Sequence, residues 1–237
     1  MLALIDMDLV VYRCAASTEN EELSLATHRV EELLDSILTK VDCTEYRAFL
    51  SGAKNFRKEV YPEYKANRTQ PKPKWLQACR EFAINELFAE LAPENLEADD
   101  ALAIYQTEDT IICSLDKDLL QIAGKHFQWE IQGGGAENRW TKPDKFTTQT
   151  ALEGCRLMYE QILKGDSSDN IKGVKGLGEA KARKLLAGID NEAAMVDICL
   201  GQYGSEEEFL MNAQCVYMLR SLDDSYISRY ERLINEV

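Results

Sequence analysis

Short apolar runs that end abruptly in paired aspartates constrain this chain more than any other feature. Leu2 to Ile5 reads as a buried strand, and Asp6 and Asp8 follow at once. Thr110 to Ser114 is a β-branched strand followed by Asp116 and Asp118. A further cluster, Glu97, Asp99 and Asp100, opens the helical stretch Ala101–Gln106. A fourth, Asp166 and Asp169 in GDSSDN, runs into the glycine-rich IKGVKGLGEAKARKLL. Between them, Leu9–Ala16, Leu25–Val41 and Trp75–Leu91 are helical stretches, and Tyr46–Leu50 and Phe127–Ile131 are strands, with Gly133-Gly134-Gly135 as a turn. Strands alternating with helices imply an α/β fold: a mostly parallel central sheet flanked by helices. Ligands of such sheets bind beyond the C-terminal strand ends, the edge to which Asp6, Ser51 and Asp116 belong. From about Thr148 the pattern is helical. It divides the chain into a core, 1–149, containing a basic segment at 52–74, and a helical region, 150–237.

Taken singly, each acid cluster is a turn, or a helix start favoured by the macrodipole. Taken together they require another explanation. Crowded carboxylates repel, and burial makes their ionisation costlier still, so cations must neutralise them. All-oxygen ligands suit Mg²⁺ or Mn²⁺ rather than zinc. Two such ions about 4 Å apart can clamp a phosphodiester and activate a water.

The glycine-rich run supplies the complementary chemistry. Glycines 173, 176 and 178 permit sharp turns and close backbone approach, and exposed N–H groups at the following helix start bind phosphate. Lys172, Lys175, Lys181, Arg183 and Lys184 surround it with positive charge. The pattern at 162–187 resembles the helix–hairpin–helix that grips DNA backbones without reading sequence. A second basic stretch carries Lys54, Arg57, Lys58, Lys65, Arg68, Lys72 and Lys74, interleaved with Phe56, Tyr61, Tyr64 and Trp75. Cations draw in a phosphate chain and aromatic rings stack on bases.

The formal charge of −14 over 237 residues argues against indiscriminate nucleic-acid binding, although part of that excess is the acid clusters themselves. The seven cysteines are scattered without a CxxC, and with two histidines they exclude a zinc finger. They read as reduced core residues of a cytoplasmic protein. No signal peptide or membrane span is expected.

FRKEVYPEYKANR, EADD, SLDKDLLQI and GDSSDNIKGVKGLGEAKARKLL stand in the order found in the flap endonuclease and 5′-3′ exonuclease family. The chain resembles this family from Leu4 to about Leu186, above all the stand-alone phage 5′-exonucleases and next the 5′-nuclease domain of bacterial DNA polymerase I. The resemblance implies a PIN-like core, a helical arch or clamp, and a C-terminal helix–three-turn–helix region. It implies two-metal hydrolysis of DNA, or of RNA in an RNA–DNA hybrid, at 5′ ends, nicks or flaps, in the host cytoplasm if phage-encoded. By motif match, Asp6, Glu97, Asp99, Asp100 and Asp116 resemble a first metal cluster, and Asp118, Asp166 and Asp169 a second. Lys65 and Arg68 match arch residues that steer the scissile phosphate, and Tyr64 an aromatic that stacks on the terminal base. Arg57, Lys172, Gly173, Lys175, Gly176, Gly178 and Lys181 complete the DNA-binding set. Carbonyls of Asn170, Ile171 and Val174 match those that hold a K⁺ ion. Where relatives carry a metal-binding aspartate after the second strand, in F-x-D-x-x-x-F-R, this chain reads FLSGAKNFR. Ser51 takes that place, and Asp8 is the candidate to compensate.

Two other readings compete. LIDMD resembles the nucleophile motif of haloacid-dehalogenase phosphohydrolases, which leaves the hairpin and YKANR unexplained. A DNA-junction-binding module made catalytically weak by Ser51 would bind without cutting.

Overall fold

The computed structural model describes residues 1–134 and 138–235. Along the chain run β1 (Leu2–Asp6), α1 (Met7–Ser17), α2 (Leu23–Val41), β2 (Glu45–Leu50), α3 (Arg57–Val60), α4 (Leu76–Asn85) and β3 (Glu90–Leu91). Then follow α5 (Ala98–Tyr105), β4 (Thr110–Cys113), β5 (Gly124–Gln128), β6 (Ile131–Gly133), β7 (Trp140–Lys142) and β8 (Lys145–Gln149). The rest is α6 (Ala151–Lys164), β9 (Gly165–Asp166), β10 (Ile171–Lys172), α7 (Glu179–Leu186), α8 (Glu192–Gln202), α9 (Glu206–Val216) and α10 (Tyr226–Asn235). Gly135 of the expected glycine turn lies outside the described residues.

Two units emerge. The first comprises Met1–Ala53, Pro71–Leu119 and Gly124–Gln149. Its sheet has the order β3-β2-β1-β4-β5-β8, with every pair parallel except β5 with β8. Alternation sorts its side chains by face. Ala3, Ile5, Ala48, Leu50, Ile111 and Cys113 join the core formed with α1, α2 and α4. Phe49, one residue out of phase, stacks on Tyr105 of α5 with ring centroids 5.4 Å apart. Helix α2 buries Ala26, Val30, Leu34, Ile37 and Val41, a stripe at near-fourfold spacing, and stops where Asp42 turns left-handed.

The helix expected over Trp75–Leu91 stops at Asn85. Phe88 turns to φ 52°, and Glu90 and Leu91 instead pair with Phe49 and Leu50. Arg47 of β2 fixes Glu90 with two hydrogen bonds (2.8 and 2.7 Å). The single strand expected over Phe127–Ile131 is divided between β5 and β6, and β8 returns antiparallel along β5.

The second unit comprises Lys54–Gln70, Leu120–Ala123 and Thr150–Val237. Most of the basic segment therefore groups with the helical region. Helix α6 starts at a reciprocal cap: Glu153 N–H donates to Thr150 Oγ1 (3.2 Å), and Thr150 N–H to Glu153 Oε2 (3.0 Å). Phe209 of α9 anchors an aromatic core, meeting Tyr203, Tyr226 and Tyr230 edge-on at 5.7 to 6.0 Å. Among the described residues, no helix is long and apolar enough to cross a membrane.

Candidate active site

In the first unit, parallel register places strand ends side by side. Ile5 pairs with Cys113 and Asp6 with Phe49, so Asp6, Ser51 and Ser114 share the C-terminal edge. Asp6 is 3% exposed. Its Oδ1 accepts the Leu9 N–H (3.1 Å), capping α1, and its Oδ2 accepts the Ser114 hydroxyl (2.6 Å). Ser114 Oγ in turn accepts the Asp116 N–H (3.0 Å), and Asp116 Oδ1 accepts the Asp118 N–H (2.8 Å). A chain of hydrogen bonds thus runs from the end of β1 into SLDKD. Burial pushes the Asp6 carboxyl up to about 7, and neighbouring Asp8 and Asp116 add to the rise against the lowering effect of its two donors.

Glu97 precedes α5 and Asp100, fully buried, accepts the Glu97 N–H (3.1 Å). The Ser51 hydroxyl accepts the N–H of Ala98 (2.9 Å), which ties this acidic helix start to the end of β2. Asp8 has both carboxylate oxygens engaged by neighbouring residues. Its Oδ2 accepts the Ser51 N–H (2.8 Å) and its Oδ1 the guanidinium of Arg80, a residue that no sequence motif marks. Among the described residues, no three His, Cys, Asp or Glu side chains are grouped to hold a metal ion. Asp6, Asp8, Asp100 and Asp116 instead take up N–H or hydroxyl donors from their neighbours. The donor set nevertheless fits a hard divalent ion. Its atoms are carboxylate oxygens, and buried Asp6 gains from a positive charge beside Asp8 and Asp116.

In the second unit, YKANR and GDSSDN, about a hundred positions apart in sequence, lie against each other. Lys65 N–H donates to the Asp169 carbonyl (2.9 Å), Asn67 Nδ2 to the Ser167 carbonyl (2.7 Å) and Asn170 Nδ2 to the Glu63 carbonyl (2.9 Å). The Asp169 carboxylate receives Arg68 Nη2 (2.5 Å) and the Tyr64 hydroxyl (3.0 Å), with Lys65 Nζ at 3.6 Å. Asp166 Oδ1 accepts both the N–H and the hydroxyl of Ser168 (2.7 Å each). Two expectations need correction here. Tyr64 is 4% exposed and packs with Ile171 and Cys215, so its ring offers no open face to a base. Arg57 is equally buried, donating to the carbonyls of Cys215 (2.9 Å) and Tyr217 (2.7 Å), and it is a structural tie rather than a phosphate contact.

The glycine hairpin divides by role. A Cβ on Gly173 would come within 2.2 Å of the backbone of Lys164 and Gly165, so glycine is required there for packing. At Gly176 and Gly178 a Cβ would meet nothing within 4 Å, which leaves that backbone open to a ligand. Gly178 caps α7, Lys181 Nζ donates to the Gly176 carbonyl (2.8 Å), and Lys172 and Lys175 are exposed. The Val174 carbonyl accepts the Leu177 N–H (3.0 Å), and Asn170 is left-handed at φ 61°.

A mostly parallel sheet with an acidic C-terminal edge, together with a helical unit carrying a glycine hairpin, defines a PIN-like α/β fold of the flap-nuclease type. The family described as "5'-3' exonuclease, N-terminal resolvase-like domain" matches residues 1–151. The chain belongs to this 5′-3′ exonuclease family. It is 32% identical over 224 residues to DNA polymerase I of Bacillus caldotenax, covering 85% of this chain and 25% of that protein. It is 33% identical over 148 residues to a 5′-3′ exonuclease of Bacillus subtilis, covering 57% of this chain and 49% of that one. The chain thus spans about a quarter of the polymerase and half of the exonuclease. In fold it is similar to the bacteriophage T5 D15 flap endonuclease, solved as a pseudo-enzyme-product complex with DNA and metal ions. That likeness has a TM-score of 0.67 at 15% identity and covers 99% of this chain and 98% of the other. Membership of this family displaces the haloacid-dehalogenase reading.

Proposed function

We propose that the chain is a divalent-metal-dependent 5′-3′ exonuclease and flap endonuclease, hydrolysing phosphodiesters of DNA near 5′ ends, nicks and flaps by a two-ion mechanism. The reading is carried by buried Asp6, flanked by Asp8 and Asp116 at the C-terminal edge of a parallel sheet, in a chain of this family. Its first relatives include a 5′-3′ exonuclease, and its fold relatives include an enzyme solved with DNA and metal ions.

Bound Mg²⁺ or Mn²⁺ would supply Lewis acidity and an activated water. In the first unit, Asp6 and Asp116 are the central ligands, with Asp118, Glu97, Asp99 and Asp100 as further carboxylates. The Ser114 hydroxyl orients Asp6, and the Ser51 hydroxyl holds the α5 start in place. In the second unit, Asp166 and Asp169 are further carboxylates. There Lys65 and Arg68 would pass from Asp169 to the substrate phosphate and stabilise its developing charge. The open backbone at Gly176 and Gly178, with Lys172, Lys175 and Lys181, would hold duplex phosphates without reading sequence. The carbonyls of Asn170, Ile171 and Val174 are the candidates for a K⁺ ion there. RNA in an RNA–DNA hybrid is a second candidate substrate strand.

An end-labelled series of nicked, gapped and flapped duplexes, with and without Mg²⁺, tests this. Metal-dependent release of short 5′ products is expected. Tight binding without product at any Mg²⁺ or Mn²⁺ concentration would leave the junction-binding reading in its place.

A further inference from the structure

Arg80 sits within α4, in no motif, yet it is tied to the acidic edge by two contacts. One terminal nitrogen pairs with Asp8 Oδ1, and the other donates to the Ser51 carbonyl (2.6 Å). The second oxygen of Asp8 accepts the Ser51 N–H (2.8 Å), and the Ser51 hydroxyl accepts the Ala98 N–H at the start of α5 (2.9 Å). The start of α1, the end of β2, the middle of α4 and the start of α5 are thereby joined by one hydrogen-bonded knot. Both Asp8 oxygens are committed, one of them to a guanidinium that stays charged at any working pH. The pair is partly shielded, with side chains 22% and 31% exposed, so water screens it less than a surface pair.

We propose that Arg80 is a built-in counter-ion that withdraws Asp8 from metal binding and so sets the divalent affinity of this edge. The inference rests on the metal-site reading above. Arg80 acts as a positioning residue in two ways. It occupies a carboxylate that would otherwise be a ligand, and its fixed positive charge cancels the attraction that Asp8 would exert on a dication. Asp8 and Arg80 together add no net charge, so Asp6, Asp116 and the α5 acids are left to bind the ion. The knot also holds the α5 acids against the sheet before any ion arrives.

The test is Mn²⁺ binding by the full chain without DNA, followed by electron paramagnetic resonance, with circular dichroism and melting curves to confirm folding. Arg80→Gln frees Asp8 and removes the opposing charge, so Mn²⁺ should bind about tenfold more tightly. Unchanged or weaker binding would overturn the proposal. Should Arg80→Gln fail to fold, the double variant Asp8→Asn/Arg80→Gln, which leaves neither charge stranded, carries the test. Its affinity should stay within about threefold of wild type, since a neutral pair has been removed. A greater loss would identify Asp8 as a ligand and overturn the proposal. Asp116→Ala separates the two levels of the argument. If wild type and Asp116→Ala alike bind no Mn²⁺, the metal reading itself falls, and this inference with it.

Discussion

Asp6 and Asp169 are the same residue in opposite circumstances. Asp6, at the end of β1, is buried near two other carboxylates and takes its hydrogen bonds from neutral donors. Asp169, in the second unit, lies among an arginine, a lysine and a phenol. The first is a carboxylate whose charge the protein itself does little to offset, and the second is one that the protein pairs. The difference teaches where the positive charge comes from. Asp169 has it from side chains of its own unit, whereas Asp6 combines burial and like charge with neutral donors, so on the proposed function it gains more from a bound ion.

The comparison can be broken at the level of chemistry. Asp116→Ala removes a neighbour of Asp6 and a proposed ligand. Cleavage of a labelled flap should fall about a thousandfold or more, while duplex binding persists. Cleavage at the wild-type rate would remove the first unit from catalysis.

Two matching substitutions sharpen it, with opposite signs. Asp169→Asn strips charge from a site with two cations, and metal-free stability in urea should fall by about 1–3 kcal/mol. Asp6→Asn should do the reverse. The Asp6 carboxyl is raised from 3.8 to about 7 in the folded state. Between those values the folded protein holds more protons than the unfolded chain, so stability of the metal-free wild type declines as pH rises through the window. Asn does not titrate. The variant should therefore gain up to about 4 kcal/mol over wild type above pH 7 and nothing below pH 4, with the gain erased by saturating Mn²⁺. Equal urea midpoints for wild type and Asp6→Asn at pH 8 would show that Asp6 carries no such penalty.

The smallest effect concerns the hairpin. Lys181→Met should weaken duplex binding a few-fold and reduce the slope of log affinity against log salt by about one. An unchanged slope would place the duplex elsewhere.

Much of the first unit was legible because strands ending in acids leave a strong local signature. LIDMD and TIICSLDKD located β1, β4 and their shared edge, and Leu33, Leu34, Ile37 and Leu38 at helical spacing within Leu25–Val41 located α2. What escaped depended on distant partners. Glu90 and Leu91 form too short a strand to show a period, and only pairing with β2 defines it. Basic and aromatic interleaving marks 52–74 but carries no information on burial, so Arg57 and Tyr64 read as part of a DNA surface although both lie inside. Arg80 had no local signal at all, since its partner Asp8 is 72 positions away. Ser114, by contrast, stood in the quoted SLDKD and could have been found as the residue that aims Asp6.

Lys65 adopts φ 57°, a left-handed conformation that glycine reaches freely and a lysine only at a cost of about 1 kcal/mol. A glycine would therefore be the more comfortable occupant of that bend. On the proposed function, that bend trades backbone comfort for the reach of a cationic arm, so that a glycine there would relax the chain and remove a phosphate contact together.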